Sequence, residues 1–214
     1  MDTALPAPVK PLLRGVSHQV SFFIAALGGV WLLSRAQGAM FWGCVVYLLS
    51  LCGQFAISAA YHRPTWQPAA RQWWRRADHA AIMLLIAGTA TPIALGIANG
   101  KTLLLMVWTG ATLGVLRALF WIHAPKWVAT VLALLLAWMM SPYLNELRTG
   151  LGATTAAWLL AGGVLYSLGA LAYAFKRPDP WPTVFGYHEV FHAFVVLAAA
   201  CHFVAVARVV LQLT

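Results

Sequence analysis

Residues 187–213 read YHEVFHAFVVLAAACHFVAVARVVLQL. Between Ala193 and Ala207 the only polar side chain is His202. A bilayer core about 30 Å thick is crossed by roughly 20 apolar residues of helix, so this stretch is long enough to span it. The same template finds six further segments: Ser17 to Ser34, Met40 to Tyr61, His79 to Ile97, Leu103 to Ile122, Val128 to Leu144 and Ala153 to Phe175. The first and fifth are the shortest. The expected fold class is therefore all-α, an integral membrane bundle of seven transmembrane helices.

Composition points the same way. Of 214 residues 62% are hydrophobic and 9% charged, whereas a soluble domain carries roughly 25% charged residues. The net charge of +9 does not indicate nucleic acid, because Lys and Arg stand in short clusters between apolar runs and form no continuous stripe. They read as topology signals, and the partners expected are membrane lipids. Cys44, Cys52 and Cys201 all lie inside apolar runs, without a C-x-x-C pair, and are expected to be buried packing thiols.

Lys10 and Arg14 before the first segment, with small residues around Ala36 to Ala39 after it, also resemble a signal peptide. The length of the apolar stretch favours a retained helix. On alternate sides, Lys10, Arg14, Arg63, Arg71, Arg75, Arg76, Arg117, Lys126, Lys176 and Arg177 face Arg35, Lys101, Arg148 and Arg208, ten against four. Positive residues stay in the cytoplasm, so the N-terminus is expected there and the C-terminus outside, in the plasma or inner membrane. Loops are short and no repeat is evident, so one domain over 1–214 is expected, with 1–15 as a short N-terminal segment. The longest break lies between Phe175 and Tyr187, where Pro178, Pro180 and Pro182 end one helix before the next.

Ionisable groups at membrane depth are expensive and mark candidate sites. Ser58 and His62 are four residues apart near the end of the second segment, about 40° apart on one helical face. Asp78 opens the third segment. His188 and His192 open the seventh as a His-x-x-x-His pair, a ready chelate for zinc, although its Glu is not placed as in the metalloprotease motif. With alternating helix directions, all of these groups share one level. His62, Asp78, His188 and His192 are thus four candidate metal-site groups from three helices, with zinc the expected ion, and Ser58 can reach His62 or whatever His62 binds. The plainer readings are headgroup snorkelling for the His188–His192 pair, a helix-end histidine beside an Arg-rich loop for His62, and a helix cap for Asp78.

The other histidines carry less. His18 shares the level and is expected in a supporting or packing role, His79 points about 100° from Asp78, and His123 falls in a loop. His202 lies roughly 21 Å further along the axis than His188 and is expected to hydrogen-bond inside the bundle. Tryptophans such as Trp42, Trp66, Trp73, Trp74 and Trp181 read as an aromatic belt, and Gly88, Gly162, Gly163 and Gly169 as close helix contacts.

Ser58-Ala-Ala-Tyr-His62, Asp78-His79 with Ala87-Gly88-Thr89-Ala90-Thr91-Pro92, and His188-Glu-Val-Phe-His192 with His202-Phe203 resemble the hemolysin III family, within the group of progestin and adipoQ (adiponectin) receptors. Lys10-Pro11, Arg14-Gly15 and His18 resemble that family's entry to its first helix. The resemblance implies seven helices and zinc held by His62, His188 and His192. From the wider superfamily, which includes alkaline ceramidases, it implies that Ser58 and Asp78 support the metal and its water. Ala90 departs from the larger residue expected there.

Three protein ligands with one open position suit catalytic zinc, so the leading expectation is a membrane-embedded hydrolase of lipid amides or esters. The rival is a non-enzymatic, cytolytic or membrane-homeostatic protein with structural zinc. A receptor is disfavoured by the short soluble parts.

Overall fold

The computed structural model describes residues 10–121 and 123–213. The first nine residues of the expected N-terminal segment, and Ile122 at the expected end of the fourth segment, lie outside them. The helices are α1 (Val16–Arg35), α2 (Gly38–His62), α3 (Pro68–Ala94), α4 (Gly100–Phe120), α5 (Lys126–Ala137), α6 (Leu144–Leu151), α7 (Ala153–Phe175) and α8 (Tyr187–Leu213). A 3₁₀ stretch, Trp138–Tyr143, joins α5 to α6. Seven helical segments are long and apolar enough to cross a membrane, the fifth being the composite Trp127–Leu151. The chain is thus an all-helical, multi-pass membrane protein.

Two boundaries differ from expectation for physical reasons. The third helix starts at Pro68, well before His79. Pro suits the first helical turn, and Arg71, Arg75 and Arg76 prolong the helix through a polar stretch to which an apolar template is blind. Asp78 therefore lies well inside α3, and the reading of it as a helix cap is overturned. The fifth span is irregular because Pro142, inside the 3₁₀ stretch, cannot donate to an α-helical ladder.

The outward faces carry what lipid accepts. Phe23, Leu27, Val30, Leu105 and Phe120 are each 60% exposed or more, a pattern that water would punish along a whole bundle. Inside, Leu32, Cys44, Tyr47, Leu51, Val206 and Val209 form the core shared by α1, α2 and α8, while Met83, Ala87, Leu103, Val107 and Leu136 join α3, α4 and α5. The three cysteines are unpaired; Cys44 is buried, and Cys52 and Cys201 are partly so.

Small residues set the helix spacing where expected, with one exception. A side chain at Gly88 would run into Ser50, at Gly162 into the His202 ring, and at Gly169 into Phe194, whereas at Gly163 the nearest atoms are 3.7 Å away. His202 is held there by a contact of its Nε2 with the Leu159 carbonyl at 3.1 Å, the hydrogen bond within the bundle that was expected of it. Gly162→Ala is expected to cost about 1–3 kcal/mol through overpacking, read as a lower unfolding midpoint in detergent. Gly163→Ala should leave the midpoint almost unchanged.

Candidate metal centre

The last turn of α2 and the first turn of α8 each have a backbone end to satisfy. At α2, Arg63 N–H donates to the Ala59 carbonyl at 2.8 Å and the Trp66 indole to that of Ala60 at 2.9 Å, while Lys10 Nζ donates to the carbonyls of Arg63 and Pro64. Burial first, then the charge of Arg63, pulls the Lys10 pKa below the usual lysine range. At α8, Tyr187 N–H donates to Asp179 Oδ1 at 2.7 Å and Gly186 N–H to Glu189 Oε2 at 2.8 Å. Two carboxylates at a helix N-terminus also oppose its dipole favourably. These contacts fix the turns that carry His62 and His188.

The segment before α1 closes this end of the bundle. Leu12 and Leu13 donate to the carbonyls of Thr183 and Val184, and Arg14 forms an ion pair with Glu189, which is 2% exposed. Gly15 adopts φ +79°, the left-handed region, and a β-carbon on it would lie 2.8 Å from His62 Cβ. Only glycine suits that position without displacing His62.

At this closed end the three histidines meet. One ligand atom from each of His62, His188 and His192 lies within 4.8 Å of the other two. The Nε2 atoms of His62 and His188 are 3.3 Å apart. Zn–N bonds of about 2.0–2.1 Å in tetrahedral array put two ligand nitrogens roughly 3.4 Å from each other, so one pair already has that spacing and the third ring needs a small inward shift. Asp78 Oδ2 is 4.0 Å from His62 Nε2. His192 Nδ1 and Asp78 Oδ1 are buried without hydrogen-bond partners, a costly state for polar atoms that a cation and its water relieve. The donor set fits a divalent metal of the imidazole-binding kind.

Behind the histidines, His18 Nδ1 is 2.8 Å from Ser58 Oγ, and its ring stacks on His192 with centroids 3.9 Å apart. Ser58 also faces Asp78. His62, His188, His192, Asp78, Ser58 and His18 are thus brought together, whereas His79 lines the same cavity with Arg75 and Arg117, His123 is exposed, and His202 lies deeper. A cavity of about 230 Å³ begins at the histidines and runs between α3, α5, α7 and α8 past Leu147, Leu159 and Tyr166 to His202.

Sequence reasoning noted Arg14, Gly15 and Glu189 within family-like motifs but assigned neither the Arg14–Glu189 ion pair nor the close approach of Gly15 to His62. The available signal was Glu189 itself, an acid in the first turn of an apolar span, where an unpaired carboxylate is not tolerated.

A seven-helix membrane bundle with a histidine cluster at one end is the class of protein so defined. The family model described as "Haemolysin-III related" matches residues 7–203, and the chain belongs to that family. It is 34% identical over 132 residues to the "Hemolysin-3 homolog" of Bacillus subtilis (strain 168), covering 60% of this chain and 59% of that protein. It is 33% identical over 132 residues to "Hemolysin-3" of Bacillus cereus, covering 60% and 58%. Matches to these curated relatives therefore span less than two thirds of their length. A shorter stretch of 51 residues is 43% identical to the "Adiponectin receptor protein" of Drosophila melanogaster, covering 22% and 12%.

Glu189→Ala, which strands the Arg14 guanidinium, is expected to destabilise the protein by about 3 kcal/mol. It should also expose the N-terminal segment to protease, read by limited proteolysis alongside thermal unfolding.

Proposed function

We propose that the chain is a zinc-dependent hydrolase of lipid amide or ester bonds, with His62, His188 and His192 as metal ligands and the 214 residues acting as one seven-helix domain in the plasma or inner membrane. The ten-to-four division of Lys and Arg supports a cytoplasmic N-terminus, with the site just beneath the inner leaflet. The observation that carries the proposal is the opening of a mostly apolar cavity directly onto the histidine cluster and Asp78. A structural clamp needs no such space.

When bound, zinc with three protein ligands and an open position brings the pKa of a water to about 7 and polarises a carbonyl. Asp78 supplies the base. Its buried, unpartnered Oδ1 accepts a proton from the attacking water and returns it to the departing amine or alcohol as the carbon–nitrogen or carbon–oxygen bond breaks. Ser58, fixed by His18, directs its hydroxyl at Asp78 or at the developing oxyanion. The apolar lining holds an acyl chain and excludes bulk water.

One observation favours a second reading. Helices α2 and α8 share little close backbone packing, so a metal across His62, His188 and His192 would also clamp the bundle, as in a cytolytic or homeostatic membrane protein without catalysis.

Asp78→Asn separates the two. Assayed on a panel of lipid amides and esters, a hydrolase loses about 10²-fold or more in rate while metal content is retained. A clamp protein turns over no lipid in either form, and only its melting temperature responds to metal removal.

A further inference from the structure

Beside the histidines the cavity has a second polar wall. Arg75 and His79 on α3 and Arg117 on α4 all line it, and their charges act on one another. Arg117 Nε and Nη1 and His79 Nδ1 are shut from solvent without a hydrogen-bond partner. Neighbouring Arg76 also has its Nε buried without a partner, but it does not line the cavity, and its guanidinium lies over the Trp73 ring at 4.6 Å.

The described acidic residues are all engaged elsewhere. Glu189 pairs with Arg14, Asp179 caps α8, Glu146 bonds Asn99, and Asp78 faces the histidines. Two guanidiniums facing one cavity therefore lack a counter-ion among the described residues. Planar donors left open in this way match an oxyanion with several acceptor oxygens. An arginine that merely snorkelled to the leaflet would turn its donors outward, whereas Arg117 keeps Nε and Nη1 buried at the cavity wall; Arg75, half-buried, lines the same cavity.

We infer that Arg75 and Arg117, with His79, form a receptor for the phosphate group of an acyl lipid whose chain occupies the cavity. This assigns a substrate class, a phosphate-bearing lipid, and rests on the reading of the cavity as a lipid hydrolase site. The phosphate lies beside the histidines, so the bond presented to them is an acyl linkage near the headgroup.

Binding of tritiated lysophosphatidate and of a monoacylglycerol with the same chain, to the purified full-length protein in nonionic detergent, tests it. Wild-type protein should prefer lysophosphatidate by about tenfold or more, the scale of one charge-assisted contact. Arg75→Gln and Arg117→Gln should each erode that preference, Arg117→Lys should keep part of it, and Arg148→Gln, at an exposed position on α6, should keep all of it. Equal affinity of wild-type protein for the two lipids, or full preference in both Gln variants, overturns the inference.

Inorganic phosphate separates the sources of the group. Displacement of lysophosphatidate only at great excess supports a lipid headgroup, whereas displacement at comparable concentration overturns it in favour of the free anion. The same titration on Asp78→Asn isolates binding from turnover. A phosphate preference without hydrolysis in wild-type protein would sink the hydrolase and keep this receptor; hydrolysis of lipids without a phosphate preference would do the reverse.

Discussion

The 3.3 Å approach of the His62 and His188 Nε2 atoms, with His192 and Asp78 alongside, is the constraint under which one end of the bundle is built. Imidazoles and a carboxylate gathered away from water cost free energy unless something satisfies them. The surrounding structure works to hold them there: carboxylates cap α8, Lys10 and Trp66 cap α2, and the Arg14–Glu189 pair fastens the N-terminal segment across the opening. Gly15 exists at its position because no side chain fits between that segment and His62.

The same end combines two environments. His18, Ser58 and Asp78 form a hydrogen-bonding wall beside the rings, and the cavity they line together is mostly apolar and reaches far into the bundle. A low dielectric strengthens every charge interaction around the cluster. Family membership and seven spans follow from the chain's match over residues 7–203 and its helices; the chemistry proposed for the cluster follows from the donor set and the space beside it.

Much of this was legible in the sequence because lipid imposes a simple rule on length and polarity. Helices α7 and α8 end where hydropathy puts them, and the alternation of spans brings Ser58, His62, Asp78, His188 and His192 to one level. What stayed hidden depends on contacts rather than composition. Hydropathy could not see that α3 runs on through Arg71, Arg75 and Arg76, which is why Asp78 looked like a cap. It could not pair Arg14 with Glu189 across 175 positions, nor show that Arg75 and Arg117, counted as topology charges, line the cavity. Pro142 in the fifth segment was visible, but its effect on α5 depended on the neighbours left to satisfy the freed backbone.

The most direct measurement is the metal content of the purified protein, determined by elemental mass spectrometry on the wild-type chain and on a His62→Ala/His188→Ala/His192→Ala variant. About one zinc per chain, lost in the variant while the bundle stays helical, is the expected result. No bound metal in wild-type protein, or an undiminished equivalent in the variant, would contradict it.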